Sequence, residues 1–484
     1  MKPQDKPNIV LVVLDTVRAD HVSCYGYKRQ TTPFIDSLAS KGMLFEQAIS
    51  PSSWSLPVHV SMFTGLYASK HRFWQLGDSA KHNLPLTITQ LLSNIGYQTV
   101  GISANPWLTE AKLDQQFDYF YENYKSAQVS GKVFKQFTNK FWKRLKTPIN
   151  RMMFYGDKGA SWINSEAKRW LHEIPSQTRP FFMFINFMDA HYPYVPPRPF
   201  HKTYSKYPFK TLVTMYKTFT QLTNYLNVAG SIPLQDINDF IDLYDGEISY
   251  LDTQVKHLVN TLIDATDFKN TVLIITSDHG DNFGEHLLNG RQLMLHQFSV
   301  HETLIRVPLI IFAPTYLGKE RIEFPVSLID IAPTIAELVG VSPFLSEYSS
   351  LLSPDANRII KSEYKTPLST LERLQRYANG MNSSADIAPF DLNLKAVRNR
   401  HYKLIVSNPN EKSLYDIVAD PLEQNPLDRR KLSPEIMHEY KLLHNVYKNW
   451  VEEENKGDDS KAVDKFNELD SSLISERLKA LGYL

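Results

Sequence analysis

Apolar residues in this chain fall in short unbroken runs, and several of those runs end in side chains of reactive type. Asn8-Ile9-Val10-Leu11-Val12-Val13-Leu14-Asp15 is apolar and largely β-branched until a carboxylate closes it, the pattern of a central parallel strand buried on both faces. Thr271-Val272-Leu273-Ile274-Ile275-Thr276-Ser277-Asp278-His279-Gly280 repeats the design, with an acid and an imidazole at its end. Pro180 to Phe187 predicts a third such strand and delivers Asp189-Ala190-His191-Tyr192-Pro193. Between them, Thr31-Thr32-Pro33 caps a helix to about Lys41-Gly42, and Met43 to Ile49 reads as one strand. Leu86 to Ile95 predicts a helix, Gln98 to Ala104 a strand, Val307 to Phe312 a further buried strand and Ile329 to Val339 a helix. Ile237 to Ile263 carries helical periodicity over much of its length. This alternation predicts an α/β fold, a large and mostly parallel sheet flanked by helices.

From about Ile359 the pattern shifts to short alternating strands at Lys395–Val397, Tyr402–Val406 and Leu414–Asp416, then a charged helix from Pro434 to about Glu454 and a tail, Ile474 to Leu484. We therefore expect a catalytic domain over 1–345, with insertions near 120–175 and 200–235, and a small C-terminal α+β subdomain with an antiparallel sheet over 346–484. Residues 123–156 contain no acid, while Lys125, Lys132, Lys135, Lys140, Lys143, Arg144, Lys146 and Arg151 crowd together. Val133, Phe134, Phe137, Phe141 and Leu145 recur there at helical spacing. Such a basic amphipathic helix suits an anionic membrane surface or the roof of a site for an acidic substrate; an inserted helix that solvates its lysines is the plainer reading.

Charge narrows the function classes. The 484 residues carry 53 basic and 52 acidic side chains, so nothing in the overall balance argues for nucleic acid. The polar start, Met1 to Pro7, runs directly into a strand without an apolar segment, which sets the cytoplasm as the expected location. One cysteine, Cys24, leaves no intrachain disulfide and no thiolate metal cluster.

The candidate chemistry gathers around Ser53-Trp54-Ser55-Leu56-Pro57-Val58-His59, where Pro57 suits the first turn of a helix that Thr64-Gly65 ends. Ser55 would then stand at a helix N-terminus, a place that favours anions. Asp15, Ser55, Asp278 and His279 are hard oxygen ligands with one imidazole, a set that suits one divalent ion: Ca²⁺, Mn²⁺, Mg²⁺ or Zn²⁺. A cation at Ser55 would lower the hydroxyl pKa and make Ser55 the nucleophile, with His191 and His296 as donors or acids for the leaving group.

Asp15-Thr16-Val17-Arg18-Ala19-Asp20, Ser55-x-Pro57 with Thr64-Gly65, Asp189-Ala190-His191-Tyr192-Pro193, Ser277-Asp278-His279-Gly280-Asp281 with Gly284-Glu285-His286, and Glu302 to Pro308 resemble the sulfatase family of the alkaline phosphatase superfamily. The likeness continues from Leu394 to Leu427. It implies an alkaline phosphatase-like fold, Asp15, Ser55, Asp278 and His279 around one metal ion, Ser55 as nucleophile, and His191 and His296 against the ester. Arg18 and His59 match positions near the site. Sulfatases commonly open with two acids, where this chain has Thr16 second. They offer Asp-Asn where it has Asp278-His279, which looks more like phosphonate monoester hydrolases and phosphoethanolamine transferases. Their nucleophile is a formylglycine made from Cys or Ser within a motif ending in arginine, where this chain has His59. Asn105-Pro106-Trp107-Leu108 stands at about the place of their Gly-Lys-Trp-His. The resemblance implies a metal-dependent sulfuric ester hydrolase, with Ser55 either oxidised to formylglycine or unmodified. Substrates would be sulfate or phosphate esters of small molecules, glycans or lipids. A phosphodiesterase, phosphonate monoester hydrolase or phosphotransferase that uses Ser55 directly is the alternative, and a non-catalytic membrane- or partner-binding protein a second one.

Overall fold

A computed structural model of the chain describes residues 6–123, 156–173, 179–222, 232–341, 349–380, 387–407 and 411–456. The basic segment, from 124 to 155, and the tail at 474–484 lie outside the described residues.

An eight-stranded sheet runs in the order Glu320–Ile322, Met43–Phe45, Leu309–Phe312, Thr271–Thr276, Asn8–Leu14, Phe181–Phe187, Gln98–Ser103 and Tyr119–Glu122. Leu309–Phe312 runs against its neighbours and the other pairings are parallel. Side-chain alternation along the central strand splits the core in two. Ile9, Leu11 and Val13 face one layer, which includes the Ser55–Thr64 and Ile331–Leu338 helices. Val10, Val12 and Leu14 face the other, built from the Pro33–Ala39, Ala160–Glu173 and Leu234–Ala265 helices. Burial on both faces explains why these strands read as continuous apolar runs.

Two expected strands are each broken in two, for a common reason. Met43–Ile49 is Met43–Phe45 in the large sheet and Ala48–Ile49 in a three-stranded one, and Val307–Phe312 divides at Pro308. Proline donates no backbone hydrogen bond, so Arg306–Val307 leaves the large sheet and pairs instead with Ala48–Ile49. A hairpin, Asn282–Leu288 with Arg291–Leu295, and a helix, Leu368–Gly380, add to the elements expected from the hydrophobic pattern.

The C-terminal strands Ile360–Lys365, Asn393–Arg398, Tyr402–Ser407 and Glu411–Asp416 form an antiparallel sheet. The Pro434–Lys456 helix covers it through Leu443 and Trp450. Glu302 joins this unit to the large one: it pairs with Arg398 at 2.5 Å and Lys403 at 3.1 Å, and Lys403 also meets Glu423 at 2.8 Å. Among the described residues, no helix is long and apolar enough to cross a membrane.

Candidate active site

Strand register sets the reactive residues level with one another. Leu14 lies opposite Phe187 and Val13 opposite Thr276, so Asp15 and Asp278 leave the sheet side by side at its carboxyl edge, where open α/β sheets bind ligands. Beside that edge the Ser55–Thr64 helix begins, after Trp54 in extended conformation, and ends at Gly65 with φ +71°. Ser55 is 1% exposed. Its Oγ stands 3.3 Å from Nε2 of His279 and 3.5 Å from Oδ2 of Asp15.

One ligand atom from each of Asp15, Asp278 and His279 lies within 4.8 Å of the other two. Each carboxylate has one engaged oxygen. Oδ2 of Asp15 accepts from Asn105 Nδ2 at 2.8 Å, and Oδ1 of Asp278 accepts from the backbone N–H groups of Thr16 and His279 at 3.2 and 2.9 Å. The other two oxygens, Oδ1 of Asp15 and Oδ2 of Asp278, are buried without a hydrogen-bond partner. Nδ1 of His279 lies 2.9 Å from the Gly280 carbonyl, which only accepts, so that nitrogen carries the hydrogen and Nε2 presents a lone pair. Gly280 is obligatory for packing: a Cβ there would stand 2.1 Å from the Thr303 carbonyl oxygen.

Burial, and then the charge of Asp278, push the Asp15 carboxyl well above the ordinary range. Burial also raises Asp278, but His279, His59 and the hydrogen bonds from Ser55 and the Thr16 N–H together hold that carboxyl below its ordinary value. Two buried carboxylates with ligand atoms this close to an imidazole lone pair could hold a divalent cation, whose charge would offset theirs.

His191 and His296 reach the same place from different loops. Their ring centroids are 5.0 Å apart, and that of His296 is 4.6 Å from that of His279. Nδ1 of His191 donates to the Tyr192 carbonyl at 2.7 Å, and Nδ1 of His296 meets Oδ1 of Asp281 at 3.1 Å. Burial, with a smaller contribution from His296, pushes His191 down to about 3; burial pushes His296 to about 4.

Arg18 and His59 sit around this cluster with their donors committed. The Arg18 guanidinium holds Asp20 through two hydrogen bonds of 2.9 and 2.7 Å, Glu285 at 2.5 Å and the Asp281 carbonyl at 3.0 Å. Nδ1 of His59 donates to the carbonyl of Ser55 at 2.8 Å, one turn back in its own helix, and its Nε2 is 3.4 Å from Asn186 Nδ2.

Four residues that sequence reasoning did not select complete the picture. Asn105 bonds Asp15 and Asp281 orients His296. Thr16, at φ +62°, buries a hydroxyl with no partner. Lys158 bonds the backbone that carries His191. Asn105 and Asp281 lie in segments whose composition stood out, whereas nothing in the local sequence marks Lys158.

The sulfatase family model matches residues 7–341. YidJ of Escherichia coli K12, an uncharacterized sulfatase, is 24% identical over 442 residues, covering 87% of this chain and 83% of its own. Among solved structures, the phosphonate monoester hydrolase of Agrobacterium radiobacter superposes with a TM-score of 0.66 at 19% identity, over 90% of this chain and 95% of that one. BT4656 in complex with its substrate D-glucosamine-2-N,6-O-disulfate gives 0.66 at 18% identity, over 94% and 99%. With its large, mostly parallel sheet, separate antiparallel subdomain and strand-end acids, the chain belongs to the sulfatase family and is a hydrolase of that family's ester-cleaving type.

Proposed function

We propose that the protein is a metal-dependent sulfuric ester hydrolase in which Ser55 is the nucleophile and Asp15, Asp278 and His279, with the Ser55 oxygen, hold one divalent cation. The observation that carries this reading is the grouping of buried Asp15, Asp278 and His279 ligand atoms within 4.8 Å of one another, with Ser55 Oγ 3.3 Å from Nε2 of His279 and one oxygen of each carboxylate left without a partner. A bound divalent cation would supply Lewis acidity, compensating negative charge on the serine oxygen and on the ester's non-bridging oxygens.

Ser55 gives up its hydroxyl proton to solvent and its Oγ forms a bond to sulfur as the bond to the leaving oxygen breaks, that oxygen taking a proton from His191 or His296. His191 and His296 work through Nε2 on the leaving oxygen, because each Nδ1 is engaged in holding its ring. An ester anion set against these rings favours their protonated forms, so substrate itself opposes the burial that depresses them. Water then cleaves the ester on Ser55 and releases sulfate; a formylglycine hydrate at this position would instead expel sulfate through its second hydroxyl. His59 and Arg18 are positioning residues here, His59 bracing the first turn of the nucleophile's helix and Arg18 tying Asp281 and Glu285 behind the histidines.

A second reading, cleavage of phosphodiesters or phosphonate monoesters by unmodified Ser55, is favoured by His59, which turns inward at the place of the family's arginine. Peptide mass around Ser55 shows whether it is oxidised, since formylglycine is lighter than serine by two hydrogens, and an oxidised Ser55 would exclude the second reading. Turnover of an aryl sulfate, an aryl phosphodiester and an aryl phosphonate monoester should be compared in parallel. Ser55→Ala and Asp278→Asn should each lower the preferred activity by about 10³-fold or more. Full activity in either variant, or after exhaustive chelation, would overturn the proposal.

A further inference from the structure

Asn105 leaves the strand Gln98–Ser103, whose Ser103 lies opposite Asn186 and whose neighbour strand ends opposite Leu14, so Asn105 reaches the sheet edge at the level of Asp15. It is wholly buried. Its backbone N–H donates to Ser103 Oγ at 2.9 Å. Its Oδ1 accepts from the backbone N–H of Trp107 at 2.9 Å. That contact admits only the oxygen of the carboxamide, so the amide has one orientation, with Nδ2 toward Asp15 at 2.8 Å. The bond goes to Oδ2, and Oδ1 is the oxygen without a partner.

We infer that Asn105 is a positioning residue for the cation site: it clamps one oxygen of Asp15 and so presents the other as a single-oxygen ligand. This rests on the reading of Asp15 as a cation ligand. A carboxamide suits the task, because it donates a hydrogen bond without adding charge. A lysine there would repel the cation, and a carboxylate would repel Asp15. Partners that orient a metal-binding carboxylate govern affinity through geometry, and their loss typically weakens binding about 10–100-fold.

The test is cation affinity rather than turnover. Mn²⁺ and, separately, Ca²⁺ are titrated calorimetrically into the chelator-treated full chain at fixed pH. Two variants divide the roles of the side chain. Asn105→Ala removes both the cap on Trp107 and the bond to Asp15. Asn105→Ser keeps a hydroxyl able to cap Trp107 but too short to reach Asp15, and guards against a variant that fails to fold. Both should bind about 10–100-fold more weakly than the parent; in the absence of cation Asn105→Ala should melt below the parent and Asn105→Ser, which keeps the cap, less far below it. If Asn105→Ser binds within twofold of the parent while Asp15→Asn abolishes binding, the clamp is refuted and the cation site stands. If Asp15→Asn binds like the parent, or the parent binds neither ion, the reading of Asp15 as a ligand fails and the clamp fails with it.

Discussion

The Lys158 ammonium lies 2.8 Å from the backbone carbonyl of His191. It also donates to the Asp189 carbonyl and pairs with Glu247 Oε1 at 2.7 Å, so its three N–H donors knot the His191 loop to the long Leu234–Ala265 helix. All of these groups are buried.

Lys158→Met would leave Glu247 buried and unpaired, at a cost of about 3–5 kcal/mol. Lys158→Met combined with Glu247→Gln should recover most of that in urea unfolding. The double variant should still cleave esters of poor leaving groups more slowly than the parent while sparing 4-nitrophenyl esters, because His191 acts on the leaving oxygen. Equal losses on both classes of ester would assign Lys158 to stability alone.

Thr16 is β-branched yet sits at φ +62°, its N–H bonded to Asp278 and its carbonyl accepting from the Tyr244 hydroxyl at 2.6 Å. Backbone strain of this kind costs about 1–3 kcal/mol and persists where the surroundings enforce it. Its Oγ1 is buried without a partner. Thr16→Val keeps the shape and removes the hydroxyl, so it should stabilise the cation-free protein by about 1 kcal/mol. Turnover should fall about tenfold, the loss of one hydrogen-bonding group at the site. Unchanged turnover would leave Thr16 as packing only.

Asp252, on the long helix, accepts the N–H groups of Phe34 and Ile35 at 3.0 and 2.8 Å, tying the start of the Pro33–Ala39 helix to it. Burial raises its carboxyl from 3.8 to about 6. A folded-state value above the unfolded one means the native protein binds this proton more tightly. The associated stability is full below the unfolded value and is lost as pH rises through about 6. Denaturant unfolding between pH 4 and 7 should therefore have a steeper pH dependence in the parent than in Asp252→Asn, and identical slopes would refute the assignment.

At the joint between the two units, Glu302→Ala takes the carboxylate partner from buried Arg398 and leaves Lys403 with Glu423 alone. Removing one partner of such a buried network costs about 3–5 kcal/mol. The expected outcome is faster proteolysis between 341 and 360 at native pH, with Glu302→Gln intermediate; an unaltered cleavage rate would show the joint is held by other contacts.

The central strands were legible in sequence because burial on both faces leaves an unambiguous signal, an unbroken apolar run ending in Asp15 or Asp278. The long helix declared itself by periodicity in the same way. Strands broken at Glu46-Gln47 and Pro308 were not, since which of two sheets a short segment joins depends on partners hundreds of residues away. The 282–295 hairpin alternates too weakly to announce itself, though it is what carries His296 to the site.

Local sequence, then, determined which residues could do chemistry and that they end strands or open a helix, because hydrophobic pattern and side-chain type are local properties. Only the tertiary structure decided that Asp15, Asp278 and His279 stand within reach of Ser55 Oγ, that Arg18 and His59 have their donors engaged, and that Asn105 and Lys158 support the cluster. Those relations follow from strand register and from hydrogen bonds between residues remote in the chain, which no local pattern encodes.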